Sequence, residues 1–172
     1  MNTLYVLRHA KSRWDEPGVD DFDRGLSPRG LRAAAKLVEH VKRNDVHPEL
    51  VLCSPARRAI STLELIRPVL DEEVVVQLED VLYGAGTKDL LGVIRRTPDS
   101  VRHVMVVGHN PGLEDLVAAL AGDGEKSALR QLREKFPTGA LATVDLPSTR
   151  WRDLAPGRGF LSALIVPKAL PA

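Results

Sequence analysis

Short runs rich in Val and Leu recur along this chain, and most of them are followed by a polar turn and a segment whose apolar residues fall three and four apart. Strand-like runs lie at 3–8, 49–53, 74–76 and 103–107. Helix-period segments at 28–44, 56–71, 87–96 and 112–121 alternate with them. A continuous apolar run of this length suits a strand covered on both faces. Strands alternating with helices predict an α/β fold, a three-layer sandwich with a mostly parallel central sheet flanked by helices. A helix is expected at 125–135, then two more strands in "ALATVDL" and "FLSALIVP", and an irregular tail over 167–172. With no repeat and no convincing linker, residues 1–172 read as one domain.

Composition narrows the class. Apolar residues make up 44% and charged residues 27%, and the net charge is +1. A wholly disordered chain and a global polycation are both excluded. The basic residues are balanced by 23 acids and no aromatic stacking platform is evident, which argues against nucleic acid as a partner. No stretch of about 18 apolar residues argues for a membrane span. A lone cysteine, Cys53, permits no internal disulfide, and with no signal peptide the expected address is the cytoplasm.

The junctions between elements carry most of the information. Ser27–Pro28, Ser54–Pro55 and Asn110–Pro111 each place a capping residue before a proline, a strong helix start. Leu113, Leu116, Val117 and Leu120 mark the buried stripe of one such helix, and Ala59, Leu63, Ile66 and Leu70 that of another. Loops after parallel strands emerge at one sheet edge, where open α/β proteins bind ligands. Three of these loops carry Arg8 and His9, Arg57 and Arg58, and His109. Two histidines and two or more arginines therefore converge on one crevice.

That crevice suits an anion, and a phosphoryl group best, because guanidinium forks match its oxygens. A neutral imidazole is also a competent nucleophile near neutral pH. His9 could attack phosphorus while Arg8, Arg58 and His109 hold the equatorial oxygens, and water would hydrolyse the phosphohistidine. The fixed cations make a metal unnecessary, and no cofactor is expected. Cys53, His9 and His109 match no zinc-ligand spacing.

The motifs resemble those of the histidine phosphatase superfamily, the phosphoglycerate mutase-like proteins. "LYVLRHAKS" is similar to its signature of a strand followed by Arg-His-Gly, with Ala10 in the glycine's place. "CSPARRAIST" and "VVGHNPG" resemble the second and third motifs, and "FPTGALA" is touched as well. The resemblance implies a phosphoglycerate mutase-like fold, a metal-independent phosphatase, Arg58 rather than Arg57 as the phosphate ligand, and His109 as the second pocket histidine. The short length and "RHAKSRWDEPGVDDFDRGLSPRG" look most like the SixA-type phosphohistidine phosphatases.

One departure points to the same branch. Many members carry a glutamate, the general acid, where "VLYGAG" puts Gly84. Glu79, Asp80 and Asp23 are the candidate substitutes. Imidazole leaves without a strong acid, since its conjugate acid has a pKa of about 6.5. The expected substrate is accordingly a phosphorylated one, a phosphohistidine-bearing protein ahead of a sugar phosphate or nucleotide. A non-catalytic phosphate-binding module is the remaining alternative, and the intact histidine and arginine set argues against it.

Lys11, Ser12 and Asp15 are expected in the loop around the pocket as substrate contacts. Arg57 reads as a solvent-facing helix residue, and His40 and His47 as solvated. His103 reads as satisfied by backbone, and Glu64, Glu114 and Asp115 as helix-surface charges.

Overall fold

The computed structural model describes residues 1–171. Seven strands form one sheet in the order β3-β2-β4-β1-β6-β7-β5. The strands are β1 (Asn2–Arg8), β2 (Leu50–Cys53), β3 (Val75–Leu78), β4 (His103–Gly108), β5 (Ala121–Gly124), β6 (Leu141–Leu146) and β7 (Gly159–Ile165). Parallel pairing joins β3, β2, β4 and β1, and also β7 to β5, so β6 alone runs against the rest. The helices are α1 (Pro28–Arg43), α2 (Arg57–Ile66), α3 (Thr87–Arg95), α4 (Gly112–Leu120) and α5 (Lys126–Glu134). This is the expected α/β fold, with a mostly parallel sheet between helical layers.

Alternating side chains of the sheet divide the core in two. Tyr5, Leu7, Val51, Met105 and Val107 pack with Leu37, Val41, Ala59, Leu63 and Ile66 of α1 and α2. Leu4, Val6, Val104 and Val106 pack with Leu90, Ile94, Leu113, Leu116 and Val117 of α3 and α4. Strands buried on both faces must be apolar throughout, which is the pattern their sequences show. The edge strands are exceptions: Val75 and Leu78 of β3 are exposed, and β5 carries the polar sequence "AGDG". No helix among the described residues is long and apolar enough to cross a membrane.

Several boundaries differ from expectation. Ser27 caps α1 as read, its Oγ accepting the Gly30 N–H at 3.0 Å. Ser54 and Asn110 do not sit at the N-cap: α2 starts at Arg57 and α4 at Gly112. Asn110 Oδ1 still accepts the Glu114 N–H and Ser54 Oγ the Ala56 N–H, each at 3.3 Å, while the same side chains also reach tertiary partners, Phe136 O and His109 Nε2. Helix 56–71 is shorter than read, since α2 ends at Ile66 and a 3-10 turn follows at Arg67–Val69. The tail is not wholly irregular: Pro167–Ala169 forms a 3-10 turn against α1 with Pro167 buried. Ala172, part of that predicted tail, lies outside the described residues. No strand was expected at β5, because "AGDG" carries no strand signature and pairs only through β7.

Two glycines let helices approach neighbouring backbone closely. A Cβ on Gly30 would strike the Lys11 carbonyl, and one on Gly112 the Ala85 carbonyl. Both obstacles are backbone and cannot swing aside. Gly92, exposed in α3, has nothing within 4 Å of its Cβ position. Gly30→Ala should therefore lose about 1–3 kcal/mol of stability from overpacking. Gly92→Ala should gain about 0.5–1 kcal/mol from helix propensity. Denaturant unfolding of both variants checks this, and equal effects would contradict the close approach at Gly30.

Candidate active site

Adjacent strand ends bring the polar residues together. Arg8 pairs with Gly108 and Cys53 with Val107, so the next residues, His9, Ser54 and His109, leave the sheet side by side. The turn after β1 is pinned by backbone. His9 N–H donates to Gly108 O at 3.1 Å, and Gly139 N–H donates to the carbonyls of His9 and Arg8 at 2.9 and 3.1 Å. Ala10 N–H donates to Thr62 Oγ1 at 2.9 Å, and that hydroxyl donates to Arg58 O.

The His9 ring is buried and its tautomer follows from its neighbours. Nδ1 lies 2.6 Å from Ala10 O. A carbonyl only accepts, so Nδ1 carries the proton and Nε2 the lone pair. Arg58 Nε donates to that lone pair at 3.3 Å. The His109 ring stands 5.2 Å away between centroids. Its Nε2 is 2.7 Å from Ser54 Oγ, while Nδ1 is buried with no partner.

Positive charge predominates here. Arg8 donates from Nη1 to Phe136 O at 3.0 Å, and its Nε has no partner. Burial lowers the Arg8 pKa, opposed by Glu114 and reinforced by Arg58. Burial also pushes the His9 imidazole down to about 3, against the hydrogen bond to Ala10 O and with help from His109, Arg58 and Arg8. The His109 ring is pushed down to about 4 by burial and by Arg58. An unpartnered Arg8 Nε–H and two guanidiniums around an imidazole lone pair can receive a tetrahedral oxyanion beside a group chemically able to attack it.

One carboxylate balances Arg58. Arg58 Nη1 donates to Asp21 O at 2.7 Å and Nη2 to Asp21 Oδ2 at 3.1 Å. The Tyr83 hydroxyl donates to the same Oδ2 at 2.6 Å, and Arg24 holds Oδ1 at 2.8 and 3.1 Å. These bonds, Tyr83's above all, hold the Asp21 carboxyl well below the usual carboxylate range. Arg24 in turn donates to the buried Ser12 Oγ. The Tyr83 ring meets His109 edge-on at 5.6 Å and Phe22 at 5.2 Å.

A family model for the histidine phosphatase superfamily, branch 1, matches residues 4–85. A structure from Agrobacterium tumefaciens assigned to phosphohistidine phosphatase SixA is 31% identical, with TM-score 0.79 over 96% of this chain and 97% of that one. The chain belongs to the histidine phosphatase superfamily. A SixA-assigned structure from Nakamurella multipartitia superposes with TM-score 0.83 at 29% identity, covering 98% and 97% of the two chains. An uncharacterized protein of Mycobacterium tuberculosis is 34% identical over 164 residues, 94% of this chain and all of its own. This histidine phosphatase is thus a SixA-like hydrolase.

Not every residue expected at the pocket reaches it. His9, Arg8, Arg58 and His109 cluster there, and Ser12 lies behind them through Arg24. Asp15 does not join them; it is exposed and pairs with Arg13 at 3.0 Å. Lys11 is exposed and lines a surface groove instead. Glu79 faces Arg96 at 3.7 Å, Asp80 and Asp23 are exposed, and none of the three hydrogen-bonds to His9, whose ring partners are Ala10 O and Arg58. Gly84, with φ of 80°, carries no side chain into the site.

Four participants were missed or misread. Asp21 and Tyr83 carry no local signal, since their contacts with Arg58 and with each other span 37 and 62 residues. Ser54 was read only as a cap. Glu114, read as a surface charge, is half-buried and accepts the Phe136 N–H at 3.0 Å, which steadies the carbonyl that Arg8 holds. His103 faces Glu49 Oε1 at 3.2 Å rather than backbone. Among the described residues, no group of three or more His, Cys, Asp or Glu is placed to hold a metal ion.

Both depressed imidazoles have a stability consequence. The unfolded chain binds protons near the ordinary histidine value of about 6.5, while the folded rings resist them, so stability falls as pH drops from about 6.5 toward 4 and 3. In the free protein the His9 and His109 rings should remain neutral at about pH 5.5, one unit below that ordinary value. Ring-nitrogen NMR checks this, and titration of either near 6.5 would contradict it. Inorganic phosphate should raise the His109 value by placing an anion beside it.

Proposed function

We propose that this phosphatase removes the phosphoryl group from phosphohistidine on a protein, passing it through His9. The observation carrying the choice of substrate is the state of Asp21, the carboxylate hydrogen-bonded to Arg58, which Tyr83, Arg24 and Arg58 hold ionised. A carboxylate so held is a poor proton donor to a leaving group.

In the proposed cycle the phosphoryl oxygens accept hydrogen bonds from Arg8, Arg58 and His109. His9 Nε2 attacks phosphorus in line, and its bond to phosphorus forms as the bond to the substrate nitrogen breaks. The departing imidazole has taken a proton from solvent on its other nitrogen, so it leaves neutral. An alkyl alcohol has no such second site. Water then attacks the phosphohistidine, His109 accepts its proton, and phosphate leaves with His9 regenerated. His109 returns the proton to solvent. Burial prepares both histidines, because a neutral His9 keeps its lone pair and a neutral His109 has a vacancy for the proton.

Rapid quenching during turnover should find phosphate on His9, and His9→Ala should abolish turnover while retaining phosphate binding. Phosphate trapped on another residue would overturn the mechanism. With no acid at hand, kcat/KM for a phosphohistidine protein or an aryl phosphate should exceed that for an alkyl phosphate by about 10² or more, the usual contribution of a general acid. Equal values would move the assignment to a small-molecule phosphomonoesterase.

Chelation tests the charge supply separately. Arg8, Arg58 and His109 stand where a metal would otherwise neutralise the phosphoryl oxygens, so activity should survive exhaustive EDTA. Complete loss, restored by Mg²⁺ or Zn²⁺, would contradict that role.

A further inference from the structure

A groove of about 1050 Å³ lies beside the phosphate pocket rather than in it. Four segments wall it: the loop after His9, one face of α1, the end of α5 with residues 137–138, and the 3-10 turn at Pro167–Ala169. Six cations line it, Lys11, Arg29, Arg32, Lys36, Lys135 and Lys168, against one acid, Glu134. Among the described residues none of the six forms an ion pair. This local excess is larger than the whole chain's net charge of +1, so the remaining surface is net acidic.

Fold stability does not account for the arrangement. Arg29, Arg32 and Lys36 fall at i, i+3 and i+7, one stripe along α1. Arg29 lies in the first turn, which holds no acid, where a cation opposes the helix dipole. Like charges set side by side without counter-charges repel, and an external anion removes that repulsion.

We propose that this groove docks an acidic surface segment of the protein whose phosphohistidine enters the pocket. The inference rests on the substrate reading above for the occupant's identity. The groove and the pocket share a wall: Lys11 follows His9 by two residues, and Gly139, next to Thr138, donates its N–H to the His9 carbonyl. Nucleic acid fits less well, because no aromatic side chain lines the groove for base stacking and Glu134 would face a continuous phosphate backbone. Ala33, Val166, Pro167 and Ala169 provide apolar contacts suited to a protein surface.

Two phosphohistidine peptides of equal length test the idea, one continuing into four glutamates and the other into four glutamines. The glutamate peptide should have a kcat/KM about tenfold higher at about 0.01 M salt, and the advantage should vanish at about 1 M, where charges are screened within about 3 Å. Arg29→Glu/Arg32→Glu/Lys36→Glu should abolish the preference, with para-nitrophenyl phosphate hydrolysis unchanged. The glutamine variant at the same three positions provides the comparison should charge reversal unfold the chain.

Equal kcat/KM for the two peptides, or an equal loss on both in the variant, would overturn docking. If neither peptide is cleaved while para-nitrophenyl phosphate is, the phosphohistidine reading fails by itself. Fluorescence anisotropy with the unphosphorylated glutamate peptide then decides docking: binding lost in the triple variant supports it, and no binding to the wild type overturns it. Tighter binding of a single-stranded oligonucleotide than of that peptide would overturn the choice of a protein partner.

Discussion

The Arg58 guanidinium is the joint on which the catalytic edge depends. From one planar group it donates to His9 Nε2, to the Asp21 carbonyl and to the Asp21 carboxylate. A buried cation without a counter-charge is strongly unfavourable. Asp21 supplies that charge from the long loop between β1 and α1, and Arg24 and Ser12 secure the loop. The same clasp shapes the chemistry, because a carboxylate bound to two guanidiniums and a phenol stays ionised.

The pocket is left deliberately short of partners elsewhere. Arg8 Nε and His109 Nδ1 are buried without one, and an unmet buried polar group costs about 1–3 kcal/mol. A group that hydrogen-bonds to either atom relieves that cost. Preorganisation also follows, since β1, β2 and β4 are packed on both faces and cannot easily shift their ends. Burial also keeps both imidazoles neutral, which leaves the His9 ring its lone pair among the arginines.

The candidate pocket and the basic groove share backbone in this molecule. Gly30 lets α1 close onto the Lys11 carbonyl, which also accepts the Ser27 N–H at 2.9 Å. That contact fixes the segment leaving His9 and sets the basic stripe of α1 beside it. Residues 136–139 serve both sides too, holding Arg8 through the Phe136 carbonyl and lining the groove through Thr138.

The sequence by itself determined the alternation of strands and helices, the burial of the strands on both faces, and the placing of Arg8, His9, Arg58 and His109 near strand ends. Those features are written in local period and in residues adjacent to each strand, which neighbours in the chain suffice to encode. Only the tertiary structure decided which charges meet. Asp21 rather than Asp23, Glu79 or Asp80 reaches the pocket, because a 3-10 turn at Asp21–Asp23 aims one carboxylate inward at a guanidinium 37 residues away. The shift of Ser54 from helix cap to His109 partner, the strand at β5 and the assembly of the basic groove have the same origin. Each is made by segments distant in sequence whose pairing no local pattern records, and their geometry exists only once the sheet has closed the loops between them.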